Sequence, residues 1–284
     1  MIPAAFDYVA PTTVDSAVRA LAEAGDEAKV IAGGQSLLPV LRMRLAAPTK
    51  LIDLGRIPEM RGVRDGGDHL VIGAMTTHYD IQSDPLVAEH AELIKLATDT
   101  VADPQVRHRG TFGGSLAHAD PAGDLLAPAL ALDARFIVSG MDGRRTVSAA
   151  DFFVDFFTTA LHQDEILVEV HVPKHTDWTA HYEKFHRVAQ AWSIVGVAAM
   201  VRAEAGKIAE ARIALTNMAS VPIRATAVED ALIGKQATAE NLKAAAEHAA
   251  EGTSPTTDGN ADPAYRQHLA RVLTSRALTA AAGV

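Results

Sequence analysis

The residues of this chain best suited to chemistry are two glycine pairs. Gly33-Gly34 lies within Val30-Ile31-Ala32-Gly33-Gly34-Gln35-Ser36, and Gly113-Gly114 within Thr111-Phe112-Gly113-Gly114-Ser115. Each pair closes a strand-like run and is followed by a hydroxyl residue. Successive glycines let backbone N–H groups converge on one point without interference from Cβ, and a pyrophosphate needs such a concave row of donors. Residues 33 to 36 also precede a helical pattern over 37–45, and a helix N-terminus favours an anion. Two loops of this kind point to one extended dinucleotide gripped from both sides. Neither fits the G-x-G-x-x-G of a Rossmann site or the G-x-x-x-x-G-K-[ST] of a P-loop. The expected ligand is FAD, held by a different architecture.

Taken singly, the first pair also suits a strand-to-helix turn with no ligand. The second stands in a polar stretch, 103–124, expected to be irregular, and a loop that long inside a compact domain is usually functional. Asp120, before Pro121, suits a helix N-cap. Asp124 falls beside an apolar run where an acid wants a partner; capping and a ribityl hydroxyl are both open. Trp192 suits either a domain core or a ring beside a flavin that controls access to it. His108, His118, His181 and His186 stand outside any H-E-x-x-H and beside no carboxylate at ligand spacing, so no metal is expected. The chain has no G-x-S-x-G, which removes the nucleophile elbow of a serine hydrolase. Arg42, Arg44, Arg107 and Arg109 read as surface charges, some of them facing the diphosphate or a partner subunit.

The elements that must position these residues follow from periodicity. Val14, Ala17, Val18, Leu21 and Ala22 predict a helix over 13–24, with Thr12 or Thr13 as N-cap and Gly25 as stop. Strands are expected at 29–31, 50–54 and 70–74, then a helix from Pro85 to about Val101. A helix over 125–132 and strands at 135–139 and 166–172 complete the first part. Past the polar run 174–178 the pattern changes to strands at 181–187, 193–202 and 208–217, followed by Ala-rich helix. A domain boundary is expected there.

Composition narrows the class. The chain has 284 residues, is 48% hydrophobic, and carries a formal charge of −9 with no block of Lys or Arg. That length and apolar content allow a sizeable core and two domains, and the charge offers no footprint for nucleic acid or an anionic membrane. No stretch reaches the roughly 18 apolar residues of a transmembrane span, and Met1-Ile2-Pro3 opens no signal-like segment, so a cytoplasmic address is expected. The absence of cysteine excludes disulfides, Cys-ligated zinc and an iron–sulfur cluster on this polypeptide. Any further electron carriers must sit elsewhere.

Several ordered motifs carry a resemblance over nearly the whole length. They are Ile2-Pro3 with Phe6-Asp7-Tyr8, AGGQSLLP at 32–39, IGAMTTH at 72–78, ADPQVR at 102–107, TFGGSLAHADPAGD at 111–124, YEKF at 182–185 and LTN at 215–217. With these the chain resembles the flavoprotein (medium) subunits of molybdenum hydroxylases, the xanthine dehydrogenase family, and most of all those of aerobic carbon monoxide dehydrogenases. The resemblance implies an α+β fold: a PCMH-type (vanillyl-alcohol-oxidase-like) FAD domain of two α+β subdomains over 1–176, and a C-terminal domain over 177–284 with a three-stranded antiparallel sheet and helices. It places the FAD diphosphate on Ala32, Gly33, Gly34, Gln35 and Ser36 and on Thr111, Gly113, Gly114 and Ser115. Asp124, Lys184 and Trp192 then lie toward the ribityl and isoalloxazine end. Where the family commonly has Gly-Gly-Asn, this chain has Gly113-Gly114-Ser115. A small subunit with two [2Fe–2S] clusters and a large molybdenum subunit are implied as partners in a dimer of heterotrimers, with FAD passing electrons to an outside acceptor. A related hydroxylase of N-heterocycles, purines or aldehydes, a stand-alone flavin oxidoreductase and a non-catalytic nucleotide-binding module are the competing expectations.

Overall fold

The computed structural model describes residues 2–284. The strands β1 (Asp7–Val9), β2 (Ala28–Ile31) and β3 (Lys50–Asp53) form a parallel sheet in the order β1-β3-β2. Helix α1 (Val14–Ala24) lies against it through Val14, Ala17, Val18 and Leu21. The helix starts where local chemistry dictates: the Thr13 side chain accepts from the Ser16 N–H, Ser16 reciprocates, and Gly25 ends the helix at φ +64°. Strand β2 leads directly into the first glycine pair, and α2 (Leu37–Arg42) leaves it.

A second subdomain follows. Strands β4 (Val63–Asp65) and β5 (His69–Gly73) precede six helices: α3 (His78–Ser83), α4 (Pro85–His90), α5 (Glu92–Asp99), α6 (Pro104–Arg107), α7 (Phe112–His118) and α8 (Leu126–Ala131). The hairpin β6 (Arg135–Gly140) and β7 (Gly143–Ser148), helix α9 (Ala149–Phe152), the short pair β8 (Phe153–Asp155) and β9 (Thr158–Thr159), and β10 (Ile166–Pro173) complete it. The sheet runs β4-β5-β10-β6-β7, antiparallel throughout. Its central strand β10 buries Ile166, Leu167, Val168, Val170 and Val172. Phe136 stacks on Phe152 at 4.1 Å behind it.

Three expectations change here. The single helix over 85–101 breaks at Ala91, which leaves helical geometry at φ −145° and ψ 45°; neither Pro nor Gly marks that break. About half of the stretch 103–124 is helical rather than irregular, because Asp103 caps α6 with Pro104 in its first turn and Thr111 caps α7. Asp120 caps no helix: its carboxylate accepts the Ala122 N–H at 2.9 Å and its carbonyl the Gly123 N–H at 2.8 Å, closing a turn. Helix α8 begins only at Leu126.

The last part of the chain is an antiparallel meander of β11 (Thr179–Phe185), β12 (Val195–Glu204), β13 (Lys207–Thr216) and the two-residue β14 (Ile223–Arg224). Three long strands form the sheet as expected, and β14 adds a short fourth at its edge. Helices α10 (Thr226–Leu232), α11 (Ala239–Ala246) and α12 (Pro263–Ala282) cover one face through Val197, Ala199, Val201, Ile213 and Leu215. The other face sends Tyr182, Ala198, Met200 and Ala214 into the core of the preceding subdomain. Alternate residues of one strand thus serve two cores, which follows from the two-residue period of a strand.

His78, the last residue of IGAMTTH, ties α3 to the second glycine loop. Its N–H donates to the Gly110 carbonyl at 3.0 Å, and a Cβ at Gly110 would lie 2.8 Å from the His78 ring. Burial, reinforced by the Arg107 charge, lowers the His78 pKa from 6.5 to about 4. Between those values the unfolded chain binds a proton that the folded chain does not, so stability falls as pH falls. Acidifying from neutral to about pH 4 is expected to cost ~3 kcal/mol through this group. Urea unfolding at the two pH values checks it: His78→Leu removes this part of the acid-side decline, and an unchanged decline refutes the assignment.

Candidate flavin site

The first glycine loop is shaped by a contact between two main chains. A Cβ on Gly33 would lie 2.2 Å from the Arg109 carbonyl oxygen and 2.7 Å from the Gly110 Cα. No side chain fits there. Gly34 has φ +76°, the left-handed region that favours glycine. The N–H groups of Gly33, Gly34, Gln35 and Ser36 donate to no acceptor among the described residues, whereas the Gly34 carbonyl accepts the Leu38 N–H at 3.0 Å. Gln35 turns back on its own loop, its Nε2 donating to the Gly33 carbonyl at 3.1 Å. Ala32 and Ser36 are half-buried and Gln35 is exposed. The loop is therefore a fixed run of unpaired donors at the surface end of β2.

The second loop differs. Its donors are already in use: Phe112 N–H to the Thr76 carbonyl at 2.9 Å, Gly113 N–H to the Ala74 carbonyl at 2.9 Å and Ser115 N–H to the Thr111 carbonyl at 3.0 Å. The Gly114 N–H donates to Thr111 Oγ1 at 3.2 Å. Gly113 is glycine because its Cβ would lie 2.4 Å from the Ala74 Cβ. A Cβ on Gly114 would lie 2.6 Å from Thr111 Oγ1 and 3.3 Å from the Ala32 Cβ, so the two loops touch. The sequence suggested two loops gripping one dinucleotide from both sides; the first loop leaves its N–H donors free and the second pairs its own within the protein. The Ser115 side chain, half-buried, makes no hydrogen bond among the described residues.

Asp124 is the polar centre of the site. It is 5% exposed and stands between α7 and α8. One oxygen accepts from the Tyr182 hydroxyl at 3.0 Å and the Ser193 hydroxyl at 2.7 Å; the other accepts from Lys184 Nζ at 2.7 Å. Lys184, its side chain 2% exposed, also donates to the Thr100 carbonyl at 3.1 Å. Burial pushes the Asp124 carboxyl above the ordinary range, and the Lys184 charge and the hydroxyl donors oppose that rise. The Tyr182 hydroxyl is held neutral by burial and by the adjacent carboxylate. A Cβ at Gly196 would lie 2.6 Å from that hydroxyl, so Gly196 keeps room for the ring. A carboxylate has about four acceptor positions, which leaves one beyond the three protein donors.

Sequence reasoning singled out Asp124, Lys184 and Trp192 but gave no role to Tyr182, Ser193 or Asn217. Tyr182 and Asn217 lie inside YEKF and LTN, where a signal existed; Ser193 had none. Trp192 is 52% exposed, which excludes the core reading. It borders a cleft of about 280 Å³ between the turn at Asp120 and the loop before α12, together with Arg187, Asn217, Asp258 and Asn260. Of the histidines considered, His118 packs on Phe157 and has its pKa lowered by burial, His181 contacts Glu183, and His108 stacks on Tyr79. No group of three metal-binding side chains exists among the described residues. Arg107 donates to the Val101 carbonyl at 2.8 Å.

Comparison with known proteins gives this site a context. The family model "FAD binding domain in molybdopterin dehydrogenase" matches residues 4–175, and "CO dehydrogenase flavoprotein C-terminal domain" matches 180–281. The chain is 42% identical to the carbon monoxide dehydrogenase medium chain of Hydrogenophaga pseudoflava, covering 99% of this chain and 98% of that one. It is 36% identical to the 6-hydroxypseudooxynicotine dehydrogenase complex subunit alpha of Paenarthrobacter nicotinovorans, covering 99% and 96%. A solved structure of the Hydrogenophaga pseudoflava carbon monoxide dehydrogenase superposes with a TM-score of 0.96 at 44% identity, over 99% of this chain and 98% of that one. On these likenesses, and on the α+β fold that carries them, the chain belongs to the FAD-binding family of molybdopterin dehydrogenases and is an oxidoreductase subunit.

Proposed function

We propose that this chain is the FAD-binding medium subunit of a heterotrimeric molybdenum hydroxylase of the carbon monoxide dehydrogenase kind. The unpaired N–H row of Gly33, Gly34, Gln35 and Ser36 carries the reading. It suits a diphosphate, whose oxygens accept from successive main-chain donors. Ala32 and Gly114 back that row, Thr111 and Gly113 hold α7 against it, and the Ser115 hydroxyl offers one more donor. The free acceptor position of Asp124 suits a ribityl hydroxyl, with the Lys184 charge favouring the carboxylate form against burial. Trp192 borders the isoalloxazine end of the cleft.

Bound FAD supplies the ability to exchange electrons singly or in pairs. The chain's own residues bind and orient it, and the buried Asp124 cluster excludes water from one side of the site. Without cysteine, the chain holds no iron–sulfur cluster, which agrees with a small [2Fe–2S] subunit delivering electrons and a large molybdenum subunit oxidising substrate. The full-length likeness to medium chains supports that division, and a dimer of such heterotrimers is the assembly we infer. Carbon monoxide is the favoured substrate of the whole enzyme on the 42% identity to a carbon monoxide dehydrogenase chain. The likeness to a 6-hydroxypseudooxynicotine dehydrogenase subunit keeps an N-heterocycle-related substrate as the second reading. We divide the chain into a FAD domain, 1–176, and a C-terminal domain, 177–284, and assign it to the cytoplasm. No helix among the described residues is long and apolar enough to cross a membrane.

Two outcomes test the reading. Gly33→Val drives its side chain into the Arg109 and Gly110 main chain, and Gly114→Val pushes on Ala32 and Thr111. Both are expected to abolish or sharply weaken FAD retention, measured as flavin absorbance per chain after gel filtration. Wild-type flavin content in both variants contradicts the clamp. The purified single chain is expected to take up FAD yet neither oxidise carbon monoxide nor bleach its flavin with that gas. Turnover by the chain alone favours a stand-alone flavin oxidoreductase, and a preparation that takes up no FAD favours a non-catalytic module.

A further inference from the structure

Arg266, on α12, heads the fully buried side chains of this protein by volume and is 1% exposed. Its Nη1 donates to the Ile194 carbonyl. Its Nη2 lies 2.7 Å from Asp258 Oδ2, and its Nε has no partner among the described residues. A buried guanidinium with a donor unused and its counter-charge 43% exposed is a poor stabilising device, since apolar replacements of buried ion pairs are often neutral or favourable. Net stability gives weak reason for this arginine, whereas both of its contacts end on the cleft bordered by Trp192.

On one side, Arg266 joins a set of restraints that begins immediately after Trp192. The Ser193 hydroxyl donates to Asp124 at 2.7 Å, and Asn217 Nδ2 donates to the Ser193 carbonyl at 2.8 Å. The Ile194 N–H donates to the Phe185 carbonyl at 2.8 Å, and the Ile194 carbonyl is held by Arg266. Residues 186–191, just before Trp192, lie outside any helix or strand. On the other side, Asp258 accepts the N–H groups of Asn260 and Ala261 at 2.8 and 3.0 Å and so folds the loop entering α12. Ile194, Asp258 and Asn260 line the same cleft as Trp192.

We propose that Arg266 is a positioning residue for the flavin site: one guanidinium fixes the Trp192–Ile194 segment and the Asp258 turn as two walls of one cleft. The proposal rests on the reading of that cleft as the isoalloxazine end. The carbonyl and the carboxylate lie on different segments, and only a group with several directed donors holds both. Arg266 touches no cofactor; it acts through the walls it sets.

The test uses the full chain with Trp178→Phe as background, so that Trp192 is the sole indole. Arg266→Met, Arg266→Lys and Asp258→Asn are compared with that parent. The readouts are melting temperature, time-resolved anisotropy of Trp192 without FAD, and emission of bound FAD. Arg266→Met and Asp258→Asn are expected to give faster local rotation of Trp192 and loss of flavin quenching. Arg266→Lys, which keeps the charge, restores part of both. If Arg266→Met does not fold, Asp258→Asn carries the same test from the exposed end of the pair. Unchanged Trp192 rotation overturns the proposal, and so does a lower melting temperature accompanied by unchanged rotation and emission. A Trp192→Ala control separates the two readings: a changed flavin signal there with none in the Arg266 variants sinks the positioning role alone, while no change in Trp192→Ala sinks the assignment of the cleft.

Discussion

The structure depends on one contact between two main chains, where Gly33 lies against Arg109 and Gly110. Because no Cβ stands between them, β2 runs into a bend that packs directly on the segment leading to α7. That packing holds the bend still while its N–H groups remain without acceptors. A fold that holds several such donors free in one run suits an anion. Catalytic partners can be recruited by other subunits, but this geometry has to be built into the chain itself.

The second half of the site follows a different logic. Here the polar groups are satisfied by one another: Asp124 from the loop before α8 meets Tyr182 and Lys184 of β11 and Ser193 of the segment before β12. This places an ion pair across the join between the FAD subdomains and the C-terminal sheet. Removing one partner of a buried pair strands the other charge, so the pair makes the relative placement of the two parts specific. The same sheet sends alternate side chains into both hydrophobic cores. Packing and charge therefore fix one alignment, and the cleft at Trp192 lies on it.

How much of this could be read from the sequence depended on how local each cause is. The spacing of Val14, Ala17, Val18 and Leu21 between Thr13 and Gly25 contains all that α1 needs, and the strands β2, β3, β5, β6 and β10 carry their apolar runs openly. Strand β1 is exposed along its length and owes its existence to pairing with β3, so no period betrays it. The break at Ala91 has no Pro or Gly nearby to announce it. The Asp-Pro step at Asp103 was read as part of a loop, although an Asp before a Pro equally suits the helix start found there. In the site, the glycine pairs were legible as places that exclude side chains. What each Cβ would strike was not, nor that one loop keeps its donors free while the other spends them. The Asp124–Lys184 pair spans sixty positions of sequence, and Ser193 carried no mark of its role.

Amide hydrogen exchange of the full chain with and without FAD tests the central claim most directly. The account predicts that FAD slows exchange at Gly33, Gly34, Gln35 and Ser36, whose N–H groups have no acceptor among the described residues, and changes little at Phe112, Gly113, Gly114 and Ser115, whose partners are already in place. Slowing confined to the second loop, with the first still exchanging freely under saturating FAD, would contradict it.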